Sequence, residues 1–420
     1  MKNVIGKLNK VFNSKQSKVV CLLLTTIVMT SASSVFAVDF DVKGTNVTIG
    51  GKAKVQAIYD INNRIDAGPT EGDIFCPYLI ALDGTTNSEK DDFRMVARES
   101  RLEVKTVTEN EFGKMETVIS ADFYGDIGNE TWSNSRALRI REAYGKVTNG
   151  RHVTLGGQTW STFMDLWALP SSMDLSVDPG VSFVRQAMIR YQYNIDKGQY
   201  FNFAIENPNR GLTALGPGMP LFLNAGDSQE LMPDIIAKYF YSGKWGHISP
   251  KLLLRRFELD DDVKMGWGAS LTGHINLGKG HIAQAGVVYG DGLGRYLSLG
   301  APGGAGLTST NEVETVKSLG AWAGATFSLS KTLRWTVGLG YSENDDDAYE
   351  GEDAVLTGLA NKNVFGCHTN IKWRPSGLKG HVPPPGNWEY ALGFVYGDIE
   401  TMDGREGDAR RIQLYASYVF

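Results

Sequence analysis

The segment KMGWGASLTGHINLG, residues 264–278, alternates between two kinds of side chain. One parity carries Met265, Trp267, Ala269, Leu271, Ile275 and Leu277, and the other carries Gly268, Ser270, Thr272, His274 and Asn276. Successive side chains of a β-strand point to opposite faces, so the pattern predicts a strand with one apolar and one hydrophilic face. Ordinary strands average about 5–6 residues, whereas a tilted strand that crosses a bilayer needs about 9–11. The length therefore favours a membrane-spanning strand.

The same alternation recurs along the chain, for example in SLGAWAGATFSLS (318–330), LRWTVGLGYS (333–342) and NWEYALGFVYGD (387–398). Aromatic residues on the apolar parity gather near the segment ends: Trp267, Tyr289, Trp335, Tyr341, Trp373, Trp388, Tyr396 and Tyr418. Belts of Trp and Tyr mark the two interfaces of a bilayer. The apolar parity is therefore expected to face lipid and the hydrophilic parity to face a lumen.

The connections between these segments alternate between short and long, as in an outer-membrane barrel with tight periplasmic turns and longer extracellular loops. This rule predicts sixteen strands, at 47–60, 94–108, 114–125, 136–148, 151–162, 182–194, 198–207, 234–242, 245–257, 263–276, 280–291, 317–329, 331–342, 362–374, 387–398 and 409–420. The predicted fold class is all-β, a transmembrane antiparallel β-barrel of about 16 strands. A barrel of that size leaves an aqueous lumen.

The chain ends in mid-pattern on RRIQLYASYVF, residues 410–420. Ile412, Leu414, Ala416, Tyr418 and Phe420 share one parity. An unpaired strand edge is not tolerated in lipid, so the last strand is expected to pair with the first and close the barrel.

The N-terminus has the layout of a secretory signal. Residues 1–18 carry five lysines and no acidic residue, and the apolar run VVCLLLTTIVMT follows. Small residues, Val35 and Ala37, stand at positions −3 and −1 from the expected cleavage site. We expect residues 1–37 to be cleaved and residues 38–420 to form the barrel in the Gram-negative outer membrane. Without the signal, 37 basic residues face 47 acidic ones, a net charge of −10, which argues against nucleic acid as a partner. Whether Cys76 and Cys367 pair is left open.

The hydrophilic parity is rich in basic residues although the protein is acidic. The predicted inward residues are Lys52, Lys54, Gln56, Arg101, Glu103, Lys105, Glu116, Ser120, Asp122, Arg139, Arg141, Arg190, Gln192, Arg334, Lys372, Arg374 and Arg411. Arg98, Glu142 and Arg185 fall on the lipid parity, which suggests bulges, strand ends or subunit contacts. The lumenal arginines either pair with carboxylates and brace the wall, or form a ladder that guides small anions, since guanidinium forks match carboxylate oxygens.

The third long loop, FMDLWALPSSMDLSVDPGVS (163–182), is unusually apolar for an outer loop. We expect it to fold into the barrel as a constriction loop in which Phe163, Met164, Asp165 and Trp167 narrow the lumen. The alternative is that it packs against a neighbouring subunit.

Several runs resemble the DcaP-like family of trimeric outer-membrane channels. They are GGQTWSTFMD (156–165), FVRQAMIRYQY (183–193), FAIENP (203–208), VTIGGKAKVQAIYDIN (47–62), SRLEVKT (100–106) and LRIREAYGKV (138–147). The resemblance implies a sixteen-stranded trimeric barrel that passes small anions, dicarboxylates among them, past constricting arginines. On matching positions these are Arg101, Arg139, Arg141, Arg185 and Arg190. Family members often carry a helical segment before the barrel, for which residues 38–46 leave little room.

The sequence thus predicts a porin for small hydrophilic solutes, with a preference for small anions, and with outer-membrane lipid and lipopolysaccharide as its surroundings. The resemblance implies two further copies of the chain as partners in a homotrimer. The alternatives are a non-selective diffusion porin and a structural or adhesive barrel whose acidic loops bind cations. An enzyme is disfavoured, because the histidines have no companion Ser and acid at a recognisable spacing. No catalytic residue, cofactor or metal site is expected.

Overall fold

The computed structural model describes residues 37–63, 65, 72–125, 136–173, 178–208, 212–214, 231–259, 261–297, 304–307, 312–345, 347, 360–377 and 384–420. The predicted signal lies outside these residues. The strands are β1 (Val38–Val42), β2 (Thr45–Ile61), β3 (Asp92–Val96), β4 (Arg101–Asn110), β5 (Gly113–Asp122), β6 (Arg139–Asn149), β7 (His152–Trp160), β8 (Arg185–Asp196), β9 (Gln199–Glu206), β10 (Leu212–Ala214), β11 (Asp234–Gly243), β12 (Gly246–Leu259), β13 (Asp262–Gly278), β14 (His281–Asp291), β15 (Ala305–Leu307), β16 (Val313–Thr315), β17 (Lys317–Ser328), β18 (Leu333–Asn344), β19 (Asn361–Trp373), β20 (Asn387–Thr401) and β21 (Glu406–Val419).

Sixteen antiparallel spans form a closed barrel, which confirms the predicted fold. Each span pairs with its neighbour in the sequence, and β21 pairs with β2. Strands β3 and β4 form one interrupted span, because both pair with β2. The short strands β10, β15 and β16 form a separate small sheet that is not part of the barrel wall. Among the described residues no helix is long and apolar enough to cross a membrane.

The barrel closes at the C-terminal phenylalanine. The Phe420 amide donates to the Gly51 carbonyl at 3.0 Å, and the Gly51 amide donates to the Phe420 carbonyl at 2.9 Å. Beyond this point β1 pairs with residues 45–49 of β2 and continues the line of β21. The edge of β2 is therefore covered along its length, as the absence of water in a bilayer core requires.

The two faces of the wall follow the predicted parity. Outward residues such as Leu252, Ile275 and Trp267 are exposed, with relative exposures of 61%, 55% and 44%. Inward residues such as Ser270, Thr272 and Gln284 are buried under loops that enter the barrel. The apolar surface of the molecule thus lies mainly on its outside, the reverse of a soluble sheet protein.

Two of the three charged residues that fell on the lipid parity, Arg98 and Glu142, lie at irregularities of the barrel wall. Residues 97–100 interrupt the ladder between β3 and β4, which turns Arg98 inward; it is 7% exposed and lies 3.2 Å from Asp73. A register shift between β5 and β6 makes Arg141 an extra residue, so Arg141 and Glu142 both face inward. Strict alternation placed Arg98 and Glu142 on the lipid parity, and a β-bulge reverses that assignment because it adds one residue to one strand.

Three long loops pack inside the barrel. They are loop 1 (residues 62–91), loop 3 (residues 161–184) and loop 6 (residues 292–316), named by their order along the chain. Loop 1 buries Phe75, Tyr78 and Ile80 against β19–β21, and loops 3 and 6 bury Phe163, Val181 and Tyr296 against β9–β17. The lumen is therefore narrowed by loops over the β9–β21 side of the wall.

Candidate functional site

Loop 3 lies against the inner wall and not against the outside of the barrel. Phe163 is 1% exposed and packs among the inward residues Ala204, Ile236, Leu253 and Val288, which come from four strands. The sequence anticipates this placement, because an apolar loop of this length is poorly solvated in water.

Polar contacts fasten the same loop to successive strands. Trp322 Nε1 donates to the Ala168 carbonyl at 3.0 Å, and Gln284 Nε2 donates to the Leu169 carbonyl at 2.8 Å. Lys372 Nζ donates to the Ser172 carbonyl at 2.7 Å and to the Ser171 hydroxyl. These donors satisfy backbone carbonyls that would otherwise be buried without partners.

Asp165 fixes the loop near its start. Its carboxylate accepts hydrogen bonds from His247 Nε2 at 2.7 Å and from Thr272 Oγ1 at 2.6 Å. Burial alone would raise the pKa of Asp165, but the His247 hydrogen bond and the Lys238 and Lys251 charges outweigh it and hold the pKa well below its usual range. These contacts therefore favour the carboxylate form of Asp165.

The four predicted constriction residues do not share one environment. Phe163, Met164 and Asp165 are buried against the wall, whereas Trp167 is 59% exposed and its neighbour Leu166 is 46% exposed. Because the loop lies inside the barrel, Leu166 and Trp167 are the side chains that it presents to lumenal water.

The β4–β8 side of the wall carries a cluster of arginines. Arg139 Nε and Nη2 donate to the two carboxylate oxygens of Asp122, at 3.0 and 2.8 Å, and Arg141 Nη1 donates to the same carboxylate at 2.7 Å. Arg101 faces Asp122 across the β4–β5 ladder. One carboxylate thus positions two guanidiniums and lies beside a third.

Arg185 and Arg190 extend this cluster. The Arg185 guanidinium lies 4.8 Å from the centroid of the Trp160 ring and within electrostatic range of Arg101, Arg139 and Arg141. Arg190 points inward from β8, with Glu142, Tyr144, Tyr200 and Glu206 as its electrostatic neighbours. Within the described part of the chain, the side chains of Arg101, Arg185 and Arg190 form no hydrogen bond or ion pair with another residue.

The remaining predicted cations lie on the covered side. Arg374 pairs with Glu389, and Lys372 is held by loop 3 as described. Arg334 is half-buried on β18, near Arg374 and Glu389.

Arg411 corrects a prediction. It was expected to line the pore, but it is fully buried. It forms a double ion pair with Asp60 and donates to the Gly72 and Asp73 carbonyls of loop 1. Its guanidinium therefore braces loop 1 and is inaccessible to lumenal water.

Loop 1 also enters the barrel, which the alternation pattern did not predict. Its run FCPYLIAL, residues 75–82, is as apolar as that of loop 3 and is the signal that could have found it. The Tyr78 hydroxyl accepts from the Gly180 amide at 3.3 Å, so loop 1 supports loop 3 directly. Among the described residues no cluster of three or more His, Cys, Asp or Glu side chains could hold a metal ion.

Known outer-membrane proteins share this architecture. The family model of the DcaP outer membrane protein matches residues 27–214. The chain is similar to the crystal structure of the outer membrane channel DcaP of Acinetobacter baumannii, with 25% identity and a TM-score of 0.73 over 92% of this chain and 100% of that one.

Two more distant structures share the fold alone. One is an anion-selective porin from Comamonas acidovorans, with 9% identity and a TM-score of 0.55 over 90% of this chain and 100% of that one. The other is the trimer form of OmpT of Vibrio cholerae, with 10% identity and a TM-score of 0.53 over the same shares. No curated protein matches the chain significantly.

Proposed function

We propose that this outer-membrane channel, which is similar to DcaP outer membrane proteins, favours small anions, including dicarboxylates. The solute would pass between the arginine cluster of β4–β8 and the exposed edge of loop 3. The observation that carries the proposal is that three arginines of this wall, Arg101, Arg185 and Arg190, form no side-chain hydrogen bond or ion pair with a described residue, although carboxylates lie within electrostatic range.

The three arginines without a described partner supply the selectivity. A wall-bracing arginine is neutralised by its carboxylate, as Arg374 and Arg411 are. Arg101, Arg185 and Arg190 are not neutralised in this way, so their fields reach the lumen. Two separated guanidiniums can engage the two ends of a dicarboxylate, because each fork matches one carboxylate group.

The β4–β8 wall is also suited to the release of a bound anion. Arg139 keeps 30% of its side chain exposed to water, and hydrated charges attract an anion weakly. Conduction requires sites that are occupied and vacated in turn.

The test is the anion/cation permeability ratio, taken from reversal potentials in planar bilayers under a salt gradient. The double variant Arg185→Ala/Arg190→Ala is expected to lower the ratio clearly, since one charge at 4 Å in water contributes about 1 kcal/mol, or about five-fold in anion occupancy. The control is Arg410→Ala, which removes a charge from an outward residue paired with Asp408. An unchanged ratio in the double variant would favour the non-selective diffusion porin.

We also propose that the channel is a homotrimer whose contact face is the outer surface of β4–β7. Many outward residues there are small or polar, namely Thr106, Thr108, Thr117, Gly145, Thr154, Gly156 and Gln158, whereas Leu102, Val104, Ile119 and Ile140 toward the long-loop ends are large and apolar. Thr106, Thr117, Gly145 and Gly156 follow one another in register across the four strands. The surface of β9–β14 instead presents Phe201, Phe203, Leu252, Trp267 and Tyr289. Polar groups are costly in hydrocarbon, so the β4–β7 face suits a second copy and the β9–β14 face suits lipid and lipopolysaccharide chains.

A further inference from the structure

The row of inward residues next to the arginine cluster is acidic. Glu103 of β4, Ser120 of β5 and Glu142 of β6 pair with one another in register, and they are called the glutamate row below. Arg101 and Arg139 belong to the adjacent row on the extracellular side, since β4 runs from loop 1 toward a short periplasmic turn. Two residues along a strand span about 7 Å, so the glutamate row directly follows the guanidiniums on the path to the periplasm.

The two glutamates of this row can accept further hydrogen bonds. Glu142 accepts one from Thr159 Oγ1, at 2.6 Å to its Oε1 atom. The Glu103 side chain forms no hydrogen bond or ion pair with a residue that the structure describes. Both residues are half-buried, so lumenal water reaches them. Glu116 of β5 differs, because its carboxylate is paired with Lys146 at 2.6 Å.

The serine between the two glutamates also lacks a partner. Ser120 is 1% exposed, and its hydroxyl has no hydrogen-bond partner among the described residues. Buried polar groups are bonded in the large majority of cases, so an unsatisfied hydroxyl between two carboxylates is a feature to be explained. An ammonium group has three N–H donors and no acceptor. It is the group that a row of unsatisfied oxygen atoms can bind.

The inward charges of β4 alternate in sign around this row. Arg101, Glu103 and Lys105 are successive inward residues of the strand. Arg101 lies within electrostatic range of Glu103 without pairing with it. Lys105 keeps 43% of its side chain exposed to water. A solute that matches the order cation, anion, cation carries an ammonium group on a chain between two carboxylates.

We infer that the channel recognises amino dicarboxylates, the chemical class of acidic amino acids. The inference rests on the proposed function. The unpaired guanidiniums bind the carboxylates, as they would in a plain dicarboxylate, while Glu103 and Glu142 bind the ammonium group. A dicarboxylate without an ammonium group meets only repulsion at the glutamate row, since like charges at short range are unfavourable.

The experiment compares free glutamate with glutarate, which has the same carbon chain without the ammonium group. Proteoliposomes that contain the refolded channel receive each radiolabelled solute at neutral pH, and the ratio of the initial uptake rates is measured. Glu103→Gln/Glu142→Gln is expected to lower the glutamate/glutarate ratio about five-fold, the change in occupancy for one charge at about 4 Å in water. The amide side chain keeps the shape of the carboxylate and an oxygen atom for Thr159, so the double variant removes charge alone.

The control is Glu116→Gln, which removes a lumenal carboxylate that Lys146 already neutralises and should keep the wild-type ratio. Refolding of each variant is checked by its shift on unheated gels. An unchanged ratio in the double variant, or an equal fall in Glu116→Gln, overturns the inference.

Reversal potentials of the same preparations distinguish this failure from that of the proposed function. Anion preference that depends on Arg185 and Arg190, together with an unchanged uptake ratio in the double variant, rejects only the ammonium site. A wild-type channel without anion preference rejects the proposed function and the inference with it.

Discussion

At the residue scale, buried charges in this barrel have two roles that their position in the sequence does not distinguish. Arg411 and Arg190 both point inward, yet Arg411 is enclosed by Asp60 and the carbonyls of loop 1, whereas Arg190 forms no side-chain hydrogen bond or ion pair with a described residue. The first arrangement neutralises the charge and fixes a loop. The second leaves a positive field in the lumen. The difference is made by the loop that covers one of them.

Arg411→Ala tests the structural role. Loss of this buried ion pair is expected to cost about 3 kcal/mol and to loosen loop 1. Cys76 of that loop is 3% exposed, and burial raises the pKa of its thiol to about 12, so it should resist maleimide in the wild type. In Arg411→Ala, labelling of Cys76, followed by mass spectrometry of its peptide, should become at least about ten-fold faster. Arg405→Ala, which breaks an exposed pair with Asp403, should leave the rate unchanged; equal rates in both variants would contradict the role.

At the element scale, inward glycines make room for the loops. A Cβ at Gly324 of β17 would lie 2.5 Å from Pro170 of loop 3, and one at Gly340 of β18 would lie 2.3 Å from the Pro179 carbonyl. A Cβ at Gly407 of β21 would lie 2.5 Å from the Ala81 carbonyl of loop 1. At these three positions strand and loop fit each other because the wall has no side chain there.

Gly324→Val is expected to displace loop 3 into the lumen, since overpacking costs about 1–3 kcal/mol and the loop can move more easily than the wall. Single-channel conductance should fall while the barrel still refolds. Ala323→Val adds bulk to the same strand on the exposed outer face and should conduct like the wild type. A Gly324→Val channel of normal conductance would show that the loop adapts without narrowing the pore.

At the scale of the whole molecule, the outer surface is uneven. Aromatic and large aliphatic side chains cover β9–β14, whereas threonine and glycine occupy the short-turn half of the outer face of β4–β7. If the β4–β7 face is the subunit contact, each pore in a trimer lies with its selective wall next to the threefold axis and its loop-covered wall toward lipid.

Gly156→Trp is expected to convert the trimer to monomers, because a large side chain on a flat contact face holds the subunits apart. The measurement is the mass of the detergent-solubilised protein by light scattering. Ala269→Trp places the same side chain on the outward parity of β13, between Leu252 and Tyr289, and should leave the oligomer intact. A trimeric Gly156→Trp protein would place the contact elsewhere.

The sequence by itself determined the sixteen spans, their faces and the closure of the barrel, because each depends on a period of two and on the length needed to cross a bilayer. It also indicated the inward course of loop 3, through an apolar run that water would not solvate. Only the tertiary structure decided that Arg98 and Glu142 face inward, that Arg411 is enclosed and that His247 meets His274 and Asp165. Bulges shift the parity by one residue, and partners from loops distant in the sequence decide which lumenal charges are neutralised; neither effect leaves a periodic signal in the chain.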